Sequence, residues 1–507
     1  MAAVSGSQQR PAVDPGSSPA PLTVAGEALS GMSDLRRFFR QNRRPIFFIG
    51  ATDFNLAGMD QWISEFRHIC YIDSYDGRHP NVYVPGVADH DEFHSIEDVN
   101  NYLLGHKDVI RYIGARGGDP VAVFLMFDEQ TEALCEELGM QIWLPPAALR
   151  SRLDNKVETV RIGNKAGVPS VPNVLGRVRS YKELQRLAAR AGLGSDLVVQ
   201  AAYGDSGHTT FFIAGRADWR RHAAEITAEP EVKIMKRIDP LGSTLEACVT
   251  RAGTIVGPLL TELIGHPELT PYRGGWCGNE MFPDAFSQAQ RAQARGYAEK
   301  LGDQLLNEGY RGYFDVDFLI DRSDGTVYLG ELNPRICGAS PITNHGMFAH
   351  ADVPLFLFHL LEFSGVPFEL DIAELNARWA DPRFVDSWSE IVLKSGADDV
   401  DLVTSAPASG LWRLDAAGTA TYTRFDYHRD VVESDGDGLF LRITGPGDYR
   451  YKGADLGILI TRGRLMTDEF ELNDRARAWI AGLSGAYQAR ALEGPAPAPR
   501  ATISKML

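Results

Sequence analysis

The segment from Tyr313 to Pro341, YFDVDFLIDRSDGTVYLGELNPRICGASP, constrains the fold of this chain more than any other stretch. In its first half, apolar residues alternate with Asp315 and Asp317, which predicts a β-strand with one apolar face and one acidic face. Turn-forming residues at 321–325 predict a tight reversal of the chain. A second predicted strand follows and carries Glu331 near its end. The segment therefore predicts two adjacent antiparallel strands that both present acids.

The polar residues of this hairpin suit a metal ion. Asn333 lies two residues after Glu331, hence on the same face of its strand, and Arg335 follows by a further step of two. Carboxylate and amide oxygens are ligands for Mg²⁺, which binds through one or two carboxylates plus substrate phosphates. We interpret Asp317, Glu331 and Asn333 as candidate metal ligands, and Arg335 as a two-point anchor for a carboxylate or phosphate. The strand pattern alone favours a simpler alternative, in which the acids form the solvated face of a hairpin.

The order of these residues resembles a known family. An aspartate on one strand, followed by Gly-Glu-Leu-Asn-Pro-Arg on the next, is similar to the metal-binding strands of the ATP-grasp superfamily, and most of all to its biotin carboxylase branch. The resemblance implies an α/β (α+β) architecture: an ATP-grasp fold preceded by a Rossmann-like pre-ATP-grasp domain and followed by a biotin carboxylase-like C-terminal domain. It also implies ATP as the nucleotide and Mg²⁺, with Mn²⁺ as an alternative, as the metal ion.

Two upstream segments fit the same resemblance. Residues 153–173, LDNKVETVRIGNKAGVPSVPN, are similar to the start of the ATP-grasp fold in this branch, and Lys156 then corresponds to its first phosphate-binding lysine. Further on, apolar runs at 197–200 and 211–213 flank a Gly/Ser loop, which predicts a β-hairpin whose loop amides can fold over phosphates. Taken alone, Lys156 is better explained as an exposed helix lysine, and Gly/Ser turns occur in most proteins. The resemblance implies nucleotide contacts by Lys156, Gln200, Gly204, Asp205, Ser206, Gly207, His208 and Thr209.

One residue departs from the pattern of the branch. Where a second phosphate-binding lysine is usual, this chain has Gln200, which can donate a hydrogen bond but brings no charge. We expect either weaker nucleotide binding or compensation by a nearby cation. The candidate cations are Lys233, Lys236 and Arg237. Residues 232–238, VKIMKRI, correspond to the hinge that holds adenine, which implies contacts from Lys236 and Ile238, although the usual glutamate–lysine pair is not recognisable there.

Changes in pattern along the chain predict its domain boundaries. We expect a disordered tail over 1–30, a pre-ATP-grasp α/β domain over 31–150, an ATP-grasp domain over 151–370 with its lid at about 166–236, a biotin carboxylase-like C-terminal domain over 371–491, and a tail over 492–507. The C-terminal domain is expected to contain strands at 389–394, 410–414, 438–443 and 455–461, and a closing helix at 473–483.

The predicted N-terminal domain alternates strands and helices. Strands are expected at 45–50, 69–73 and 121–127, and helices at 60–68 and 129–139. This alternation indicates a parallel sheet. Asp53, Phe54 and Asn55 follow the first strand, at the edge where open α/β sheets bind ligands, and are weak candidates for substrate contacts.

The composition bears on partners and compartment. A net charge of −16 over 507 residues argues against nucleic acid or an anionic membrane as the main partner. No apolar run is long enough to cross a bilayer. The five cysteines lack zinc-ligand spacing, and an odd number without a signal peptide predicts a cytoplasmic protein. Cys337, close to the predicted site, is interpreted as a packing residue because no paired histidine is evident.

Within the resemblance, single residues help to distinguish carboxylation from ligation. Biotin carboxylases carry a catalytic glutamate shortly after the metal-site arginine, and its position here is Ala339, which cannot deprotonate bicarbonate. Their bicarbonate-contacting lysine falls in GGWCGNE, residues 274–280, which has no lysine, and a later arginine maps approximately to Leu393. We therefore disfavour carboxylation and expect no biotin. Residues 272–280 are glycine-rich and are expected to form a loop, either a mobile substrate loop or a plain surface loop.

The activity that remains is shared by the wider superfamily. We expect an ATP-dependent carboxylate–amine ligase that forms an amide or peptide bond through an acyl phosphate, with Lys156 and Arg335 as its catalytic residues. Its expected partners are a small carboxylic acid and an amino acid-like amine, and the resemblance allows a homodimer. The alternatives are an impaired ATP-binding protein, supported by Gln200, and an ATP-dependent carboxylase or thiol ligase of the same fold.

Overall fold

The computed structural model describes residues 28–492 except 87, 89, 91, 205–208 and 347–351. The two predicted tails lie almost entirely outside these residues. Within them, no helix combines the length and apolar character needed to span a membrane.

The N-terminal region contains a five-stranded parallel sheet in the order β3-β2-β1-β4-β5. The strand β1 has the sequence IFFIG and is buried at every position, as expected for a central strand covered on both faces. The predicted parallel sheet is therefore confirmed. Its elements are α1 Met32–Arg40, β1 Ile46–Gly50, β2 Phe66–Cys70, β3 Val82–Tyr83, α2 Ile96–Gly105, α3 Lys107–Gly114, β4 Val121–Phe124, α4 Glu129–Glu137 and β5 Gln141–Ile142.

The helix predicted at 60–68 is wrong. A 3₁₀ turn occupies Met59–Gln61, and Glu65 adopts a φ of 63°, which no right-handed helix contains. The chain then enters β2 at Phe66, three residues before the strand predicted at 69–73. Phe66 and His68 point into the core on alternate positions, so the apolar spacing that suggested a helix face belongs to a buried strand.

A separate four-stranded antiparallel sheet, in the order β6-β9-β7-β8, occupies the range predicted for the lid, about 166–236, and is called the lid below. It has a hydrophobic core of its own that includes Leu184, Val199 and Ile234. Two helices precede it, and two pack within it. The elements are α5 Ala147–Leu153, α6 Lys156–Ala166, β6 Asn173–Gly176, α7 Tyr181–Arg190, β7 Leu197–Gln200, β8 Thr210–Ile213, α8 Arg216–Ala228 and β9 Val232–Lys236.

The largest sheet is antiparallel and has the strand order β14-β13-β10-β11-β12-β15-β21-β19-β17-β18. The helix α9 covers part of one face, where its Leu301 and Leu305 pack in one core with Val316 and Phe318 of β13. The first part of the sheet consists of β10 Pro240–Thr250, β11 Gly253–Ile264, β12 Trp276–Met281, β13 Gly312–Asp321 and β14 Val327–Asn333, with α9 Gln288–Asn307 between β12 and β13. The loop predicted at 272–280 is thus a loop only up to Gly275, because β12 begins at Trp276.

Most strands of the C-terminal region continue the same sheet, and three others form a separate antiparallel sheet in the order β20-β16-β22. The strand β12 pairs with β15 over four residue pairs, including Asn279 with Glu390. The strands and helix predicted after 370 are confirmed to within two residues at each end. The elements are α10 Ser340–Thr343, α11 Leu355–Ser364, α12 Ile372–Trp379, β15 Trp388–Lys394, β16 Asp401–Ser405, β17 Gly410–Leu414, β18 Ala420–Arg424, β19 Asp437–Arg442, β20 Tyr449–Arg450, β21 Asp455–Arg462, α13 Asp474–Gly485 and β22 Gln488–Ala491. The domain boundaries themselves stay a prediction.

Candidate active site

A cavity of about 290 Å³ lies where the end of the lid strand β7 meets the acidic end of the large sheet. Its walls come from the lid, from α6 and from strands β10 to β14. Seven of the residues singled out from the sequence line this cavity: Lys156, Gln200, Gly204, Asp317, Glu331, Asn333 and Arg335. Residues almost 180 positions apart in the sequence, Lys156 and Arg335, therefore line one cavity.

The acidic hairpin is confirmed, and its register places each aspartate of β13 opposite a polar residue of β14. Asp315 lies opposite Asn333, and Asp317 lies opposite Glu331. The amide nitrogen of Asn333 donates to Oδ2 of Asp315 at 3.0 Å and to Oδ2 of Asp317 at 3.2 Å. Its oxygen accepts from Nη2 of Arg335 at 3.0 Å. In this orientation Asn333 links the aspartates to the arginine, whereas a metal-ligand role would need its oxygen to face the acids.

The site holds more negative charge than its cations neutralise. Burial raises the pKa of Asp317 well above its usual range, and repulsion from Asp315 and Glu331 adds to this. Burial raises the pKa of Asp315 to about 7, with Glu246 as the next cause. Burial also raises the pKa of Glu262 far above normal, helped by Asp317 and Glu331. Closely spaced carboxylates of this kind are stabilised in their ionised form by a bound cation.

Asp317 and Glu331 fit a magnesium ion bound together with a nucleotide. They face each other on adjacent strands, and both line the cavity. In the described part of the chain, no group of three or more His, Cys, Asp and Glu side chains is arranged to hold a metal. Mg²⁺ sites commonly use one or two carboxylates and complete their coordination with phosphate oxygens and water.

Lys156 is not the exposed helix lysine of the simpler interpretation. It begins α6, where the side-chain oxygen of Asn155 accepts from two backbone amides and caps the helix. The lysine side chain is 6% exposed, and its Nζ donates to Oε2 of Glu331 at 2.9 Å. Its backbone amide donates to the carbonyl of Ala202 at 2.8 Å, which fixes α6 against the end of β7. Lys156 thus places a positive charge between the lid and the acidic hairpin.

A second buried lysine, Lys233, lies beside Gln200. It is one of the three cations that the sequence offered as compensation for the missing lysine. Lys233 on β9 is the cross-strand neighbour of Gln200 on β7. It is completely buried, and its Nζ donates to the carbonyl of Gly330 at 3.2 Å. Burial lowers the pKa of Lys233 to about 8. The other two candidate cations, Lys236 and Arg237, are exposed.

The contact between Lys233 and Gly330 involves a backbone irregularity. The pairing of β13 with β14 shifts between Asp317 and Phe318, so Gly330 is an extra residue between the partners Glu331 and Leu329. A β-bulge leaves backbone groups outside the regular ladder and re-aims the neighbouring side chains. Lys233 supplies a donor to the bulged carbonyl, immediately before the predicted metal ligand Glu331.

The remaining residues predicted to contact the nucleotide are not among the described residues that line the cavity. Residues 205–208 lie outside the described residues. Thr209 contacts Gly204 at the neck of the loop. Neither Lys236 nor Ile238 is among the described residues that line the cavity. Ile238 packs against the same small apolar cluster as Leu319, which does line the cavity, and an adenine contact by this hinge stays a prediction.

The N-terminal domain reaches the site through Asn55. Its side-chain amide donates to the carbonyl of Cys337 at 2.9 Å. Asp53 and Phe54 are fully buried and do not appear among the described residues that line the cavity. The thiol of Cys337 donates to Oε1 of Glu246 at 3.1 Å, and burial raises its pKa well above normal. A neutral, hydrogen-bonded thiol agrees with the packing interpretation of Cys337.

This chain differs from the biotin carboxylases at three catalytic positions, of which two lie at the cavity and one lies in a hydrophobic core. Ala339 lines the cavity, and so does Trp276 from the segment that lacks the lysine. Leu393 instead is buried in the hydrophobic core between β15 and its neighbours. Sequence reasoning missed Trp276, Glu262 and Asn279 as cavity residues, because their strands read as ordinary buried strands or as a loop. The only sequence signal for Glu262 is a single acid in the otherwise uncharged run GTIVGPLLTELI.

Comparisons of sequence point to one group of enzymes. No family model matches the chain. It is 24% identical over 307 residues to methylcrotonoyl-CoA carboxylase subunit alpha of Dictyostelium discoideum, covering 56% of this chain and 40% of that protein. It is 24% identical over 266 residues to the 2-oxoglutarate carboxylase small subunit of Hydrogenobacter thermophilus, covering 51% and 54%. The chain thus spans about half the length of these curated relatives.

Solved structures share the fold over most of the chain. The biotin carboxylase domain dimer of Hydrogenobacter thermophilus 2-oxoglutarate carboxylase, in complex with MgADP, ADP and bicarbonate, matches with a TM-score of 0.56 and 14% identity, covering 88% of this chain and 91% of that chain. N5-carboxyaminoimidazole synthase of Aspergillus clavatus, in complex with ADP and 5-aminoimidazole ribonucleotide, matches with a TM-score of 0.52 and 12% identity, covering 83% and 94%. The chain therefore has the ATP-grasp fold that these solved structures share.

Proposed function

We propose that this protein is an ATP-dependent carboxylate–amine ligase. One observation carries the proposal. The cavity brings Lys156, Arg335 and the facing acids Asp317 and Glu331 together, while the position of the carboxylase base on the same wall is Ala339. The residues that suit phosphoryl transfer are thus present, and a side chain able to deprotonate bicarbonate is missing at that position.

The chemistry follows from these residues. An oxygen of the substrate carboxylate attacks the γ-phosphorus of ATP, the bond to the bridging oxygen breaks, and ADP leaves. The amine then attacks the acyl carbon, phosphate departs with the carbon–oxygen bonding pair, and the amine loses a proton. Lys156 and Arg335 offset the negative charge that gathers on the phosphoryl oxygens. Mg²⁺ held by Asp317 and Glu331 would supply further charge neutralisation when bound.

The solved neighbours support the nucleotide and the metal. The biotin carboxylase domain of Hydrogenobacter thermophilus was solved with MgADP, and the Aspergillus clavatus synthase with ADP. The first of these is a dimer, which supports a homodimer here as well. Both curated relatives named above are carboxylases, so carboxylation is the competing activity that an experiment has to separate from ligation.

The test is ADP release from Mg-ATP with small carboxylic acids and amines, supplied singly and in pairs, and with bicarbonate in a separate arm. We expect release that needs both an acid and an amine, with an amide as the product. Release that needs bicarbonate and is indifferent to other acids would assign the protein to the carboxylases instead. ATP binding without release under any pairing would support an impaired ATP-binding protein.

A further inference from the structure

We propose that the acid substrate carries an uncharged apolar group, best an aromatic ring, which packs against Trp276 and Ile264 in the cavity. The inference rests on the proposed ligase function and adds the class of acid that it takes. Three observations support it: the irregular backbone of β12, the path of the chain after Arg335, and the charged side chains that line the cavity.

A bulge in β12 brings Trp276 into the cavity. Glu262 pairs with Asn279, and Ile264 pairs with Trp276, so two residue steps on β11 correspond to three on β12. The additional residue lets Trp276 and Asn279 lie on one face, although residues three apart normally point to opposite faces of a strand. Gly278 within the bulge has a φ of 142°, a conformation that L side chains rarely adopt.

The Trp276 ring is held in place on two sides. Its Nε1 donates to Oδ1 of Asn279 at 3.0 Å, which fixes the rotation of the indole. Against the ring lies Gly338, where an added Cβ would come within 2.5 Å of two ring carbons. Only glycine permits this contact. Together with Ala339, the ring forms a smooth wall without a hydrogen-bonding side chain.

This wall and the carboxylate anchor line the same cavity, although Trp276 lies on β12 and Arg335 follows β14. Four strand spacings, or about 19 Å, separate β14 from β12 in the sheet. The chain after Arg335 crosses this distance, because Cys337 contacts Glu246 on β10 and Gly338 contacts Trp276 on β12. A substrate whose carboxylate binds Arg335 therefore extends its side group along the same path toward the indole.

The charges in the cavity exclude an anionic side group. Among the described residues that line it, the cations are Lys156 and Arg335, and both already contact residues of β14. Beside the wall stands Glu262, two residues before Ile264 on the same strand. Ile264 is 42% exposed, so this apolar side chain is open to a ligand. An apolar group gains from covering it, whereas a phosphate or second carboxylate would lose its hydration without a further cation among the described lining residues to pair with it.

The experiment compares three acids that differ only at the third carbon: propanoate, 3-phenylpropanoate and succinate. Hydroxylamine serves as a general amine, because it converts an acyl phosphate into a hydroxamic acid and phosphate, whatever the natural amine is. We expect kcat/KM for 3-phenylpropanoate to exceed that for propanoate by about tenfold and that for succinate by more. Trp276→Ala should remove this preference, and Trp276→Phe should keep most of it. Phe384→Ala, at an exposed aromatic elsewhere, is the matched control.

The outcomes separate this inference from the ligase proposal. A preference for succinate, or a phenyl preference that survives Trp276→Ala in a protein with wild-type unfolding behaviour, overturns the inference while leaving ligation intact. If no acid yields hydroxamate, the inference is tested by equilibrium binding of the same acids in the presence of MgADP. Selective, Trp276-dependent binding of 3-phenylpropanoate then supports the inference without the ligase function, and equal or absent binding of the three acids overturns it.

Discussion

The two ends of the cavity are built in different ways. At the charged end, the pairing of β13 with β14 places Asp317 opposite Glu331 beside the bulge at Gly330, and direct side-chain bonds from Lys156 and Asn333 hold the two acids. At the apolar end, Trp276 reaches the cavity through a bulge and rests on Gly338. Both ends contain a bulge, but direct bonds between polar side chains hold the charged end, whereas the apolar end depends on the bulge that presents Trp276 and on the missing side chain at Gly338. In our proposals, the charged end promotes the reaction and the apolar end selects the acid substrate.

The largest expected effect concerns the charged end. Asp317→Asn or Glu331→Gln should lower ADP formation by about 10³-fold, because each removes a charge that would hold the metal ion beside the phosphates. The measurement is steady-state ADP release at saturating Mg-ATP. Asp324→Asn, at an exposed acid in the turn of the same hairpin, is the control and should retain wild-type turnover. Undiminished turnover in both site variants would refute the metal assignment.

The next effect concerns the apolar end and is structural. Gly278→Ala should destabilise the protein by roughly 4 kcal/mol, because it forces a side chain into a strained conformation and toward the carbonyl of Glu390. Urea unfolding measures the change. Gly296→Ala, in a helix with open space around the glycine, should be neutral or stabilising. Equal stability of Gly278→Ala and wild type would mean that the bulge tolerates a side chain and does not fix the indole.

A pH effect should arise beneath the charged end. His359 accepts from the backbone amide of Tyr313 at 3.0 Å, its Nε2 contacts the carbonyl of Trp143 at 2.7 Å, and burial lowers its pKa to about 4. Because the folded pKa lies below the ordinary value, this stabilisation is complete above about pH 6.5 and is lost as the pH falls toward 4. The loss amounts to about 3 kcal/mol.

The measurement is the free energy of unfolding at several pH values between 7 and 4. His359→Gln should be less stable than wild type at pH 7, and its stability should fall less steeply with acid. The same slope in both proteins would assign the acid sensitivity to other groups.

The smallest effect tests the lysine beside Gln200. Lys233→Met should raise the KM for ATP by about tenfold, since it removes a buried charge from the bulge that precedes Glu331. Lys182→Met, at an exposed helix lysine, should leave it unchanged. In the Lys233→Met background, Gln200→Lys should restore part of the affinity by returning the charge to the neighbouring strand. An unchanged KM for ATP in Lys233→Met would show that Lys233 does not replace the charge that is missing at Gln200.

The difference between local and long-range features explains how much of the fold and the site could be predicted from the sequence. The hairpin of Asp317 and Glu331 was predictable because strict alternation and a turn signal act within 20 residues. Lys233 could not be distinguished from Lys236 because strand pairing decides which of them is buried. Trp276 was placed in a loop because the bulge at Gly278 hides the alternation of β12. The helix expected at 60–68 failed for a related reason, since a left-handed residue at Glu65 has no reliable sequence signature.

The pairing of β12 with β15 bears on how this protein can be divided. A chain cut after residue 370 would keep all the acids and lysines of the site, but β12 would lose β15, one of its two partner strands. Its backbone amides and carbonyls would then form an open, apolar edge, which invites association with other chains. The catalytic half is therefore not an autonomous module, and fragments ending near this boundary should aggregate, however complete their active-site residues are.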